Sequence, residues 1–231
     1  MAVFSMPPPA DERELLARAQ ALAGLSFAQI AAHLGRQVPR DLRRAKGWVG
    51  ELLELALGAT SGSQAAPDFP ALGVEMKTLP LWADGRPKES TYVCTVPLTD
   101  FDACWETSWI RRKLNRVLWL PVEAQTGVPL SVRRVGMALL WSPNSEEEAM
   151  LRADWEELMD MVCLGQLEMI TAHYGVCLQI RPKAANGDAL CEGIGEDGAR
   201  VRTLPRGFYL RSTFTAALLG RYYASWSFSE N

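Results

Sequence analysis

Residues 66–78 read Ala66-Pro67-Asp68-Phe69-Pro70-Ala71-Leu72-Gly73-Val74-Glu75-Met76-Lys77-Thr78, and the spacing of Asp68, Glu75 and Lys77, D-x6-E-x-K, decides how the rest of the chain is read. From Leu72 to Thr78 apolar and charged residues alternate. A strand puts residues two apart on one face, so Glu75 and Lys77 are expected side by side while Val74 and Met76 enter a core. Asp68 stands in the preceding loop, where the chain can fold it back against Glu75. Two carboxylates and an ammonium at one point can hold a hard divalent cation and orient a water beside a phosphate. That is equipment for hydrolysing a phosphodiester. The same spacing also arises by chance, and an alternating charged strand is commonly a plain solvated sheet face.

Composition narrows the field. A chain of 231 residues suits one two-lobed domain over 1–231 with a sizeable core. Its 48% hydrophobic content and eight tryptophans argue for a packed globule. No apolar run approaches the roughly 20 residues that span a bilayer, and the opening MAVFSMPPPADERE has neither the basic nor the apolar region of a secretory signal. A cytoplasmic protein without a membrane partner is expected. The five cysteines are scattered without a CxxC and read as reduced thiols. The two histidines, His33 and His173, form no ligand-spaced pair, which speaks against zinc and against a Ser-His-Asp or Cys-His centre. A metal here would be oxygen-bound, magnesium or similar.

The net charge of -3 carries no global sign of nucleic acid. Basic residues nevertheless cluster at Arg40, Arg43, Arg44 and Lys46, from Arg111 to Arg116, at Arg133 and Arg134, and from Arg181 to Arg211. Acids crowd between Glu146 and Asp160. Binding responds to the local field, so an acidic protein can present a basic groove. Taken singly, each cluster reads first as a solvated face.

Punctuation along the chain predicts helices over Asp11–Ala23, from a Ser26 cap to Leu34, over Trp48–Leu57 and from a Ser145 cap to Leu164, with a short basic helix or turn over Trp109–Asn115. Strands are expected at Leu72–Thr78, Thr91–Val96, Val117–Glu123, Val135–Trp141, Val176–Arg181 and Arg202–Leu210. The turn Ala83–Pro87 reads as a hairpin between the first two strands. A short helix is expected at Asp188–Ile194 and a last one from Ser212 to Tyr223. Without a strict βαβ rhythm, the pattern implies a mixed α/β fold, one mixed sheet flanked by helices.

Glu54 sharpens the chemical reading. It sits among Leu52, Leu53, Leu55, Ala56 and Leu57, where a carboxylate needs a partner. Either it pairs with a cation such as Lys46 or faces solvent, or it points at Asp68 and Glu75 and completes a three-carboxylate metal site. Lys113, among Arg111, Arg112 and Arg116, is either part of a basic surface helix or a cation that approaches a phosphate.

The strings KGWVGELLELALGATSGS, PDFPALGVEMKTLP, CWETSWIRRKLNRVLWLPVE, DWEELMDMVCLGQLEMITA, LQIRPKAANG and LPRGFYLRSTFTAALL, in this order from about residue 10 to residue 223, resemble the MutH family of methyl-directed mismatch-repair endonucleases. The resemblance implies a type II restriction-endonuclease-like fold, a mixed central sheet with flanking helices and two arms around a DNA cleft. It implies Mg2+-dependent nicking of the unmethylated strand at hemimethylated GATC sites in double-stranded DNA, with activation by MutL after MutS has found a mismatch. Its metal-site acids fall on Glu54, Asp68 and Glu75, its active-site lysine on Lys77, and a second lysine needed for activity on Lys113. Its DNA-contacting and methylation-sensing residues fall on Arg181, Lys183 and Tyr209. An aromatic DNA contact falls on Tyr92, where a family member carries phenylalanine. One active site per nick fits a monomer, and the acids from Glu146 to Asp160 offer a docking face for a basic patch on MutL. Two other readings stand beside this one: a restriction endonuclease of the same fold that cuts both strands, and a helix-turn-helix binder built on Ser26 to Lys46. The latter leaves Asp68, Glu75 and Lys77 unexplained.

Overall fold

The computed structural model describes residues 6–40, 45, 47–62, 66–99, 101, 104–171, 173–183 and 189–227, the last three as backbone. In chain order the elements are α1 (Glu12–Ala21), α2 (Phe27–His33), α3 (Trp48–Leu57), β1 (Glu75–Leu81), β2 (Thr91–Thr95), α4 (Trp109–Leu114), β3 (Val117–Glu123), β4 (Leu139–Trp141), α5 (Ser145–Cys163), β5 (Leu178–Pro182), β6 (Cys191–Ile194), β7 (Arg200–Thr203), β8 (Arg206–Leu210) and α6 (Ser212–Ser227). The fold is mixed α/β. Among the described residues its strands form not one sheet but three, in the orders β1-β3-β4, β2-β8-β5 and β6-β7. None of the described helices is long and apolar enough to cross a membrane.

Two compact units share the chain, each made of separated stretches: Met1–Lys88 with Arg116–Ser142, and Glu89–Asn115 with Pro143–Asn231. In the first unit, β3 lies between a parallel β1 and an antiparallel β4. The register sets Glu75 opposite Val117 and Lys77 opposite Trp119. Local signals start the helices. The Asp11 side chain accepts the Glu14 N–H at 2.7 Å, and Ser26 with Gln29 forms a reciprocal capping box. Leu52, Leu53 and Leu57 of α3 join Leu15, Phe27, Val74, Met76, Leu118 and Leu120 in one core. That packing fixes α3 against the start of β1.

The second unit is built on the antiparallel sheet β2-β8-β5, with Phe208 and Leu210 of β8 buried. Trp105 and Trp155 pack with ring centroids 5.8 Å apart. The N-cap of α5 is Asn144, not Ser145, with Glu147 closing the box. About two turns beyond Glu147, the buried Asp154 accepts three consecutive amides, those of Val176 (2.8 Å), Cys177 (2.5 Å) and Leu178 (2.7 Å). The amides of Val176 and Cys177 are therefore unavailable to a ladder, and the strand expected from Val176 begins at Leu178.

Other expectations shift for equally local reasons. The strand read at Leu72–Thr78 starts at Glu75 and runs to Leu81, because Leu72 and Gly73 form a turn. The turn at Ala83–Pro87 exists, closed by the Trp82 N–H to the Arg86 carbonyl at 2.9 Å. It joins no hairpin, since β1 pairs with β3 and β2 with β8. Only Leu139–Trp141 of the stretch from Val135 enters a ladder; Val135 makes isolated bridges to Ala23 and Val122. The helix expected up to Ile194 is instead strand β6, paired with β7 across a turn at Asp197-Gly198. The run Arg202–Leu210 is broken at Leu204-Pro205 into β7 and β8, which enter different sheets. Of the helix-turn-helix stretch, α2 is present, while Arg43, Arg44 and Lys46 lie outside the described residues, as does Asp188.

Candidate active site

Asp68 reaches β1 through a tight turn. Phe69 and Val74 exchange backbone hydrogen bonds (Phe69 N–H to Val74 O 2.9 Å, Val74 N–H to Phe69 O 3.3 Å), and Gly73 turns the chain with φ 66, a value that costs glycine no steric clash. The loop therefore lies back on the strand it precedes. Asp68 Oδ2 accepts the Met76 N–H at 2.8 Å, and the Asp68 carbonyl takes the Thr60 N–H at 3.1 Å, tying the turn to the end of α3.

Next along β1, Lys77 Nζ donates to Glu75 Oε1 at 2.6 Å. The alternation read from the sequence puts Val74 and Met76 in the core as expected, but Glu75 is buried as well, at 3% exposure. A carboxylate so enclosed depends on its cation and hydrogen bonds, because an uncompensated buried charge is costly. Glu54 contributes from α3. Burial raises its pKa first, and the negative charges of Asp68, Glu51 and Glu75 raise it further against the opposing pull of Lys77. Glu54 thus senses both Asp68 and Glu75.

This donor set suits a hard divalent cation. It consists of carboxylate oxygens, and the field at Glu54 carries more negative than positive charge. Among the described residues, no three His, Cys, Asp or Glu side chains stand together as a ready metal cage. A cation held here would draw the carboxylates in.

Lys113 belongs to the second unit, on α4, whose N-cap Ser108 accepts the Arg111 N–H at 3.3 Å. Its Nζ lies 5.2 Å from the centre of the Trp109 ring. The other four candidates of that unit come together on one side of the β2-β8-β5 sheet. Tyr92 of β2 is directly opposite Tyr209 of β8, and their rings meet edge to face at 5.4 Å. The Arg181 guanidinium carbon is 6.0 Å from the Tyr209 ring centre, and Lys183 Nζ is 3.3 Å from that of Tyr92. Burial raises the Tyr209 pKa, so the phenol stays a neutral donor. Aromatic rings interleaved with cations suit a nucleic acid, which offers stacking faces and phosphates together.

Sequence reading missed two residues that support this surface from within the sheet. Gln179, in register with Tyr209 and 1% exposed, donates from Nε2 to Ser90 Oγ at 2.7 Å. Gly207 stands opposite Arg181, two residues before Tyr209. A glycine inside a strand signals close approach by a neighbour and was the available clue. The acidic stretch of α5 also changes meaning. Glu148 accepts from Trp105 Nε1 (2.8 Å) and Arg111 Nε (2.7 Å), Glu147 pairs with Arg221, and Glu156 with Arg152 at 2.7 Å. Much of its charge is balanced within the unit.

Comparison with known proteins shows the family. The family model described as "DNA mismatch repair enzyme MutH" matches residues 57–154. The DNA mismatch repair protein MutH of Yersinia enterocolitica serotype O:8 is 54% identical over 226 residues, covering 96% of this chain and 99% of the relative. Those of Escherichia coli O6:K15:H31 and of Escherichia coli strain K12 are each 57% identical over 219 residues, 94% of this chain and 96% of the relative.

Proposed function

The chain belongs to the MutH family of DNA mismatch repair enzymes, and from that premise we propose that it is a monomeric, cytoplasmic endonuclease that nicks the unmethylated strand of hemimethylated GATC sites. It is a DNA-cleaving enzyme of the restriction-endonuclease-like class. The observation that carries the cleavage reading is the convergence on β1 of Asp68, folded back onto the Met76 amide, with the Glu75–Lys77 pair and the field they impose on Glu54.

Asp68 and Glu75 would hold Mg2+, with Glu54 assisting. Such an ion, when bound, polarises the phosphate and the attacking water. Lys77, positioned by Glu75, orients that water and matches charge that develops on the phosphate oxygens. Water attacks phosphorus, the bond to the 3′-oxygen breaks, and the leaving oxygen takes up a proton. Lys113 is assigned to the phosphate on the family likeness alone.

Recognition falls to the sheet of the second unit. Unmethylated adenine offers two N6 hydrogens in the major groove, whereas the methylated base has lost one and gained a methyl. Tyr209 and Arg181 read that edge, Tyr92 stacks, and Lys183 positions the phosphate backbone. Activation by MutL, after MutS has found a mismatch, completes the reading, with the outward side of α5 as the docking face.

The test is supercoiled plasmid carrying one hemimethylated GATC, incubated with and without Mg2+ and MutL. Nicked circles that require Mg2+ and increase with MutL are expected. Linear product would favour a restriction endonuclease that cuts both strands, and no cutting of any GATC duplex would overturn the cleavage reading.

A further inference from the structure

Position 207 has no obvious backbone need for glycine. It lies within β8 and is not among the glycines of positive φ, so any L residue could adopt its conformation. The requirement lies above it. A Cβ at Gly207 would stand 2.9 Å from Tyr92 Cε2, 3.1 Å from Tyr209 Cε2 and 3.2 Å from Tyr92 Cδ2. Both rings therefore rest on bare backbone, and the two tyrosines that face each other across β2 and β8 share one seat. The guanidinium and ammonium that cover the rings, from Arg181 and Lys183, inherit their positions from it. Arg181 is itself the register partner of Gly207.

We propose that Gly207 is a specificity-determining positioning residue: by omitting a side chain it sets the height at which Tyr92 and Tyr209, with Arg181 against them, meet the DNA bases. This rests on the assignment of that sheet to DNA recognition. A methyl group at 207 cannot be absorbed by a flexible chain end, because what it meets are ring edges. One or both rings must rise or rotate. Rings that have moved misalign the base contacts while the phosphate contacts, made by longer and more flexible side chains, adjust.

The experiment uses the full-length chain and the variants Gly207→Ala, Tyr92→Ala and Gly207→Ala/Tyr92→Ala. Cleavage kcat and KM are measured on unmethylated, hemimethylated and fully methylated GATC duplexes, with thermal melting and tyrosine ring NMR on the free protein. For Gly207→Ala the ring signals should shift and the preference for unmethylated over methylated strands should fall about tenfold, the scale of one base contact. The loss should appear mainly in KM, with melting little changed. In the Tyr92→Ala background only the 3.1 Å contact with Tyr209 remains, and that ring can give by a few tenths of an ångström into the space Tyr92 has left, so the added methyl should there cost less than threefold. Unmoved ring signals, or an equal loss on every duplex with lowered melting, would overturn the inference. Should Gly207→Ala fail to fold, recovery of folding in the double variant supports the seat and continued failure overturns it. If the parent chain shows no methylation preference, the recognition reading fails, while the ring signals still decide whether Gly207 seats the tyrosines.

Discussion

Lys77 and Glu75 show how far two letters of a motif can be trusted. Their adjacency followed from strand alternation alone, and they are indeed paired at 2.6 Å. The near-complete burial of Glu75 did not follow, because it depends on α3 and β3, which a period-two pattern does not contain. The pair also predicts what its loss does. Lys77→Ala should lower cleavage at least about hundredfold, the usual scale for removing one preorganised charge-stabilising group, with duplex binding in the absence of Mg2+ within about threefold of the parent. Single-turnover cleavage and fluorescence anisotropy measure the two. A cation that binds the folded chain stabilises it by mass action, so Mg2+ should raise the melting temperature of the parent. The rise should disappear in Glu75→Gln, which keeps the shape of the side chain and removes its charge. Equal shifts in both proteins would remove Glu75 from the metal site.

Elements were legible where they carry their own punctuation. Helix α3 has the boundaries read from the sequence, framed by Gly47 and Gly58. Where partners decide, sequence failed: β1 and β2 flank a good turn yet belong to different units, and the Asp197-Gly198 turn signal between β6 and β7 was overlooked. The junction of α5 with β5 depends on a partner of this kind. Asp154→Ala would remove the acceptor of three amides and should destabilise the protein by roughly 3–5 kcal/mol, since hydrogen bonds to a charged group are individually worth about 1.5–3 kcal/mol; urea unfolding reads this. Beside it, burial and then the Asp154 charge push the Cys177 thiol up to about 11. A free thiol ionises near pH 8.5, so the folded chain holds this proton to higher pH than the unfolded one. Stability should be unaffected by this group below that pH and fall as pH rises from about 8.5 toward 11. Cys177→Ala should flatten that decline in melting temperature, and an unchanged slope would refute it.

At the scale of the molecule, sequence indicated one two-lobed domain and the chain forms two units, whose segments interleave in a way that composition does not announce. No compositional break marks residue 88 or 116; both lie in bends of ordinary connections, one between β1 and β2 and the other between α4 and β3. This has a direct consequence for dissection. A fragment ending at Lys88 contains β1 without β3, the strand that pairs along its whole length from Glu75 to Leu81. Fragment 1–88 should therefore lack cooperative thermal unfolding, while the full chain unfolds cooperatively; circular dichroism tests this. A cooperative transition in the fragment would show that α1, α2 and α3 suffice.

The turn that carries Asp68 back to β1 has a last implication, for how such motifs are written. Six unspecified letters between the acid and the glutamate look permissive, as though any stretch of that length would serve. Mutual bonds between Phe69 and Val74 make the stretch a ruler, not a tether. Inserting or deleting even one residue there would disturb those mutual bonds and carry the aspartate away from the Met76 amide it now meets, so the count of letters matters as much as the letters that are named.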